Sequence, residues 1–238
     1  MDGILLDWFR SHGRSLPWRS TRDPYAILVS EVMLQQTQVE RVVPRYRAWL
    51  DRWPTACALA AATAGEVIVE WQGLGYNRRA LSLHRAARAI VATGWPADLT
   101  QLPGVGPYTA AAIENFAFGR DVLPRDVNVE RVERRTEHRF GGRAAQALMD
   151  LGATICIARA PRCELCPLGP SCPSRGVREA PARKQSQFEG SFRQRRAATL
   201  REVAAGARGL AGLDAEVVAA LERDGLVVLE NEIVRLPL

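Results

Sequence analysis

Apolar positions in the first 172 residues recur at helical spacing and break at short polar loops, with little of the alternation that marks strands. The clearest run follows Pro24, where Tyr25, Ile27, Leu28, Val32, Met33 and Leu34 lead almost without interruption into QQTQ. An element this apolar predicts a buried helix over about 25–37. Further helices are predicted over about 39–52, 64–71, 77–92, 107–118, 127–138 and 143–156, with no internal repeat or low-complexity tract. After residue 193 the pattern changes. RRAATLREVAAG and DAEVVAALERDG predict two helices, each closed by a glycine, and LVVLENEIVRL predicts two short strands turning at Glu230–Asn231. Helices followed by a hairpin describe a small winged-helix-like module over 194–238. Its nearly balanced charge favours packing on the main domain over gripping a polyanion.

Composition adds a partner class. The 238 residues carry a net charge of +6 and a pI of about 9.5, which favours nucleic acid. Most of that excess sits in Pro173–Arg196, where Arg175, Arg178, Arg183, Lys184, Arg193, Arg195 and Arg196 face only Glu179 and Glu189. With its Pro, Gly, Ser and Gln content, 176–193 reads as a basic linker, either a solvated connector or a strap that tracks phosphates. Of the 32 basic side chains only Lys184 is a lysine, so amine chemistry has a single side-chain candidate. No run of about 18 apolar residues occurs, and MDGILLDWFRSHGR is too acidic and broken for a signal peptide. The expectation is a soluble intracellular protein.

Two stretches carry candidate chemistry of their own. LPGVGPYT, Leu102–Thr109, sets Gly104 and Gly106 either side of one valine before a helix. Such a turn frees backbone N–H groups for an anion, or serves only as a tight helix–turn–helix. Cys156, Cys163, Cys166 and Cys172 follow C-x6-C-x2-C-x5-C, which points to a metal in place of disulfides. Spacing alone leaves zinc and an iron–sulfur cluster open and favours zinc. Cys57, alone in an alanine-rich helical stretch, is predicted to be a buried small apolar residue.

Taken together, LPWRSTRDPYAILVSEVMLQQTQVERV, WQGLGY, LPGVGPYTAAAI, RDVNVERV and ALMDLGATIC with the cysteine quartet resemble the helix-hairpin-helix DNA glycosylases that carry a [4Fe–4S] cluster. Within these the chain is most similar to the MutY-type adenine glycosylases, over roughly residues 14–175. The resemblance implies a mainly α fold, with two helical subdomains over 1–175 and the active site in the cleft between them. It also turns the metal reading from zinc to a [4Fe–4S] cluster held by the 156–172 loop.

It further implies that the amides of Gly104 and Gly106 contact DNA phosphate. The position of Tyr108 is a Schiff-base lysine in the similar endonuclease III proteins, so tyrosine there implies a monofunctional glycosylase. N-glycosidic cleavage needs an acid for the leaving base and a carboxylate for the oxocarbenium-like sugar. Glu31 lies in the apolar helix, where desolvation raises a carboxylate pKa, and the family assigns the matching glutamate to protonating N7 of adenine. Asp126 reads as a helix N-cap, and the family gives the matching aspartate the oxocarbenium-stabilising role, oriented by Asn128 and Tyr108. Gln36 and Thr37 match residues that wedge into the duplex, Leu74 and Tyr76 match a partner wedge, and Trp18, Arg19 and Gln146 match residues lining the adenine pocket.

Three departures stand out. Val127 replaces a small residue, the interval from Val129 to Cys156 is short, and 194–238 is too brief for a domain that reads 8-oxoguanine. The expected activity is removal of adenine opposite 8-oxoguanine or guanine in double-stranded DNA, in base excision repair. The expected state is a cytoplasmic, nucleoid-associated monomer with no membrane partner. A thymine or uracil mismatch glycosylase, and a catalytically silent iron–sulfur DNA-binding module, are the alternatives.

Overall fold

Helix α1 (Asp2–His12) opens the chain in the computed structural model, which describes residues 1–180 and 187–238. The chain divides into two compact units, each assembled from two separated segments: Met1–Ile27 with Gly106–Lys184, and Leu28–Val105 with Gln185–Leu238. The linker residue Lys184 falls outside the described residues. Helix α2 (Pro24–Leu34) carries the backbone from the first unit into the second. It stops three residues short of the predicted end because Gln36 turns left-handed, at φ 55°.

The second unit continues with α3 (Val39–Arg52), α4 (Ala56–Ala61), α5 (Ala64–Glu70) and α6 (Arg78–Thr93). Thr63 and Glu66 form a reciprocal capping box at the start of α5, which is why the helix begins where it does. Trp49 packs edge-on against Trp53 and Trp71, with ring centroids 4.7 and 5.4 Å apart. Cys57 does not join this core. It is exposed, because α4 turns its Leu59 face inward, and the prediction of burial is corrected.

In the first unit, α1 is joined by α7 (Pro107–Phe116), α8 (Val127–Thr136) and α9 (Ala145–Thr154). Leu5, Val129, Val132, Leu148 and Leu151 make the core, with Cys156 and Cys166 packed against it. Only residues 137–144, holding one 3-10 turn, join α8 to α9. The two helices touch closely: a Cβ on Gly152 would lie 2.6 Å from that of Asn128.

The later part of the chain adds α10 (Phe192–Ala204), β1 (Arg208–Gly209), α11 (Ala215–Arg223), β2 (Val228–Glu230) and β3 (Ile233–Arg235). The hairpin turns at Asn231 and Glu232, both left-handed, one position later than predicted. Strand β1, which sequence periodicity missed at two residues long, pairs with β3 to give the antiparallel order β1-β3-β2. Leu200, Val203, Val217, Leu221 and Val234 share a core with Ile68 of α5 and Leu81 of α6. This segment therefore packs within the second unit.

Because Gly152 sits against the backbone of Asn128, Gly152→Ala is expected to force α8 and α9 apart at a cost of about 1–3 kcal/mol. Denaturant unfolding of the variant against the parent protein measures this.

Candidate active site and cysteine loop

The second unit places Glu31 in α2 among Ile27, Leu28, Val29, Val32 and Met33, all buried, and leaves Glu31 itself only 5% exposed. One turn later α2 ends under Arg79. The Arg79 guanidinium donates through Nη1 to the carbonyls of Val32 and Met33, at 2.9 Å each, and to that of Gln35. Through Nη2 it reaches Thr37 Oγ1 at 3.0 Å, Leu74 O at 3.3 Å and Gly75 O at 2.8 Å. Its face lies over the rings of Trp71 and Tyr76. Burial pushes its pKa down to about 10, and its many oxygen acceptors favour the charged form, so it is cationic at neutral pH.

Around this cation the candidate DNA-facing residues divide. Gln36 is exposed and Thr37 half-buried, while Leu74 is buried and its neighbour Tyr76 is 44% exposed. Gln36 and Tyr76 are left-handed, at φ 55° and 47°, a conformation that costs a non-glycine residue about 1–2 kcal/mol. The hairpin joins the same network through Gln35 Nε2, which donates to Gly104 O at 3.4 Å. Gly104 has φ +79°, and a Cβ there would meet that of Ser82 at 2.7 Å, so glycine is required. Gly106 is extended and caps α7 ahead of Pro107, with no atom within 4 Å of an added Cβ. Its smallness keeps the approach to the helix N-terminus open.

In the first unit, Asp126 caps α8. Its Oδ1 accepts from the amides of Asn128 at 2.9 Å and Val129 at 2.8 Å, and its Oδ2 accepts from Asn128 Nδ2 at 2.8 Å. Asn128 thus orients the carboxylate twice. Val127 is 70% exposed and leaves these bonds intact. Arg131 then donates to Asn128 Oδ1, Gly152 O and Cys156 O, each at 2.7 Å, which joins the carboxylate cap to the cysteine loop. Tyr108, the second residue of α7, is half-buried, as is Gln146 near the start of α9.

Trp18 is buried in a 3-10 turn, and Arg19 beside it faces Asp150 of α9. Asp150, 1% exposed, receives two bonds from Arg19, at 2.7 and 2.8 Å, and others from the amide and guanidinium of Arg14. Burial pushes the Asp150 carboxyl up. The Arg19 bond, the Arg14 amide, the Arg19 charge and the Arg14 side-chain bond outweigh it, so the net shift is downward.

The four loop cysteines share one electrostatic environment. Burial raises the Cys166 thiol, and the Cys156, Cys172 and Cys163 sulfurs raise it further against an opposing bond at Leu168. Arg135 Nη1 donates to Cys156 Sγ at 3.3 Å and the Gly176 amide to Cys163 Sγ at 3.2 Å. Glu179 pairs with Arg134 and Arg135, which ties the residues after the loop to α8. Among the described residues no group of three His, Cys, Asp or Glu is arranged to hold a metal ion. The donor set itself, four thiols of which Cys156 and Cys163 receive a bond at sulfur, suits zinc and an iron–sulfur cluster alike.

Sequence reasoning missed Arg79, Arg131 and Asp150. Only Asp150 carried a signal, as a lone carboxylate among the apolar positions of ALMDLGATIC.

Residues 29–146 match the model of the HhH-GPD superfamily of base excision DNA repair proteins. The chain is similar to an adenine DNA glycosylase of Mycolicibacterium smegmatis, 43% identical over 194 residues, covering 69% of this chain and 66% of that one. An adenine DNA glycosylase of Mycobacterium tuberculosis is 39% identical over 231 residues, covering 81% of this chain and 75% of that one. The human adenine DNA glycosylase is 38% identical, covering 73% of this chain and 39% of that one. Among solved structures, a thermostable thymine-DNA glycosylase superposes with a TM-score of 0.66 at 28% identity, covering 73% of this chain and 94% of that one. An endonuclease III trapped as a covalent intermediate with DNA gives 0.62 at 22% identity, covering 73% and 92%, a likeness of fold. No helix among the described residues is long and apolar enough to cross a membrane.

Asp150 generates a pH prediction. Its folded carboxyl titrates below the unfolded value of about 3.9, so it stabilises the fold above that pH and loses this contribution as pH falls through the depressed value. Asp150→Asn is expected to cost about 3 kcal/mol at pH 7. The variant should also lose less stability than the parent between pH 5 and acid unfolding. Urea titrations across that range check both effects.

Proposed function

The chain belongs to the adenine DNA glycosylases of the HhH-GPD superfamily of base excision DNA repair proteins, and on that premise we propose that it hydrolyses the N-glycosidic bond of adenine opposite 8-oxoguanine or guanine without cutting the strand. One observation carries this reading: a carboxyl group, Glu31, withdrawn from water inside a helix whose other buried positions are apolar apart from Ser30. The target base leaves the stack at a cost of a few kcal/mol. Glu31 protonates the departing base, so that it leaves neutral. Asp126 presents a negative charge to the oxocarbenium-like sugar, and its bonds to Asn128 hold it in one orientation as water attacks. Tyr108 completes the orienting set. Trp18, Arg19 and Gln146 line the base pocket, with Arg19 held rigid by Asp150.

Exposed Gln36 and Tyr76 fill the gap left by the displaced base, and the Gly104 and Gly106 turn takes a phosphate. Cys156, Cys163, Cys166 and Cys172 hold a [4Fe–4S] cluster, which when bound cross-links the loop that Arg131 joins to the Asp126 cap. The thymine-DNA glycosylase likeness supplies a competing substrate, thymine or uracil opposite guanine, at lower identity than the adenine relatives. Double-stranded DNA is the partner in either reading, and the protein acts as a monomer.

Single-turnover base release from A:8-oxoG, A:G, T:G and U:G duplexes tests the substrate. Adenine release is expected from the first two, with strands that break only after alkali. Glu31→Gln and Asp126→Asn should each lower release by at least ~100-fold while duplex affinity changes far less. Release from T:G or U:G alone would replace adenine as the substrate.

The purified protein is expected to be yellow-brown and to contain iron. Metal analysis finding zinc in a colourless, fully active protein would overturn the cluster assignment.

A further inference from the structure

Two non-glycine residues, Gln36 and Tyr76, hold left-handed backbone in separate turns of the second unit, and one side chain touches both turns. Arg79 bonds the carbonyl of Gln35, in the peptide that leads into Gln36, and the carbonyl of Gly75, in the peptide that leads into Tyr76. Capping α2 alone would need only the Val32 and Met33 carbonyls. The bonds to Leu74 O and Gly75 O hold the 73–76 turn just ahead of Arg79, and that to Thr37 Oγ1, with the one to Gln35 O, reaches across to the 35–37 turn. The Arg79 guanidinium also lies 5.7 Å from the centroid of the Tyr76 ring.

Unfavourable backbone of this kind persists only where its surroundings over-determine it. A planar fork with two terminal nitrogens can grip two turns at once, and a single ammonium cannot. We infer that Arg79 is a positioning residue that locks the 35–37 and 73–76 turns into one frame, so that Gln36 and Tyr76 enter the duplex together and the end of the Glu31 helix is set by the same contact. The inference rests on the glycosylase reading for what the two turns meet. Arg79 acts through other residues and touches no reacting atom. Its depressed pKa follows from the partial burial of the guanidinium in this frame.

The test uses the full chain carrying Arg79→Lys and, separately, Arg79→Gln, each checked for folding by thermal unfolding and near-ultraviolet circular dichroism. In folded variants, affinity for an undamaged duplex is expected to stay within ~3-fold of the parent, since phosphate contacts dominate it. Single-turnover release from A:8-oxoG should fall at least ~10-fold, and the rate ratio between A:8-oxoG and A:G should collapse toward one. The fluorescence rise of a 2-aminopurine placed beside the target base should be lost. A purely structural role would scale both substrates equally with the folded fraction and keep the fluorescence rise, and that outcome overturns the inference.

Should neither variant fold, the parent protein decides. The slowly exchanging Arg79 guanidinium N–H resonances are expected to shift on adding the A:8-oxoG duplex and to stay in place with undamaged DNA. Unmoved resonances overturn the inference. If the parent releases no adenine, the substrate reading fails, and the fluorescence and resonance measurements still report on Arg79.

Discussion

A charge withdrawn from water must recover its hydrogen bonds inside the protein, and this requirement sets where the candidate site residues sit. Arg79, Arg131 and Asp150 are the cases that matter. Each is surrounded by complementary atoms from segments distant in the chain, and each borders a residue with proposed chemistry. Arg79 stands beside the end of the Glu31 helix, Arg131 beside Asn128 and hence Asp126, and Asp150 beside Arg19. The turns at 35–37 and 73–76 each carry a left-handed residue and share the Arg79 side chain. That part-buried cation is bonded to both turns.

The same logic explains the division between the carboxylates. Glu31 sits in an element that buries every face, beside buried Ser30 and among apolar neighbours. Asp126 sits at a helix start, where three donors fix its oxygens. The two environments follow from ordinary helix physics: an apolar run in one case, an N-cap in the other.

How much of this was legible depends on the range of the interaction. Helices α3, α5, α6, α8 and α9 lie within a few residues of their predicted spans, because capping residues and apolar periodicity are local signals. Helix α1 was not predicted. Its inward face rests on one fully buried residue, Leu5, whose core partners include Leu148. Strand β1 exists only because β3 offers it an edge. The burial of the helix that holds Glu31, the Asp126 cap, the hairpin glycines and the cysteine spacing could be named from the sequence. Arg79 could not, because its acceptors are mostly backbone carbonyls, which no residue type announces. Asp150 pairs with Arg14 across 136 positions. Cys57 was misjudged because alanine-rich periodicity does not say which face of a short helix turns inward.

The two-segment construction of each unit has a consequence for biosynthesis. The core that holds Leu5 also holds Leu148 and Leu151, and the core that holds Ile68 also holds Val217 and Val234. Neither hydrophobic core can close on a ribosome until a segment far downstream has emerged. Closing such long loops costs chain entropy before any burial repays it. Helix α1 must therefore wait, without its core partners, through the synthesis of residues 28–105, the first segment of the other unit. Five of its eleven residues, Ile4, Leu5, Leu6, Trp8 and Phe9, are large apolar ones, so that interval leaves apolar surface in water until α8 and α9 arrive.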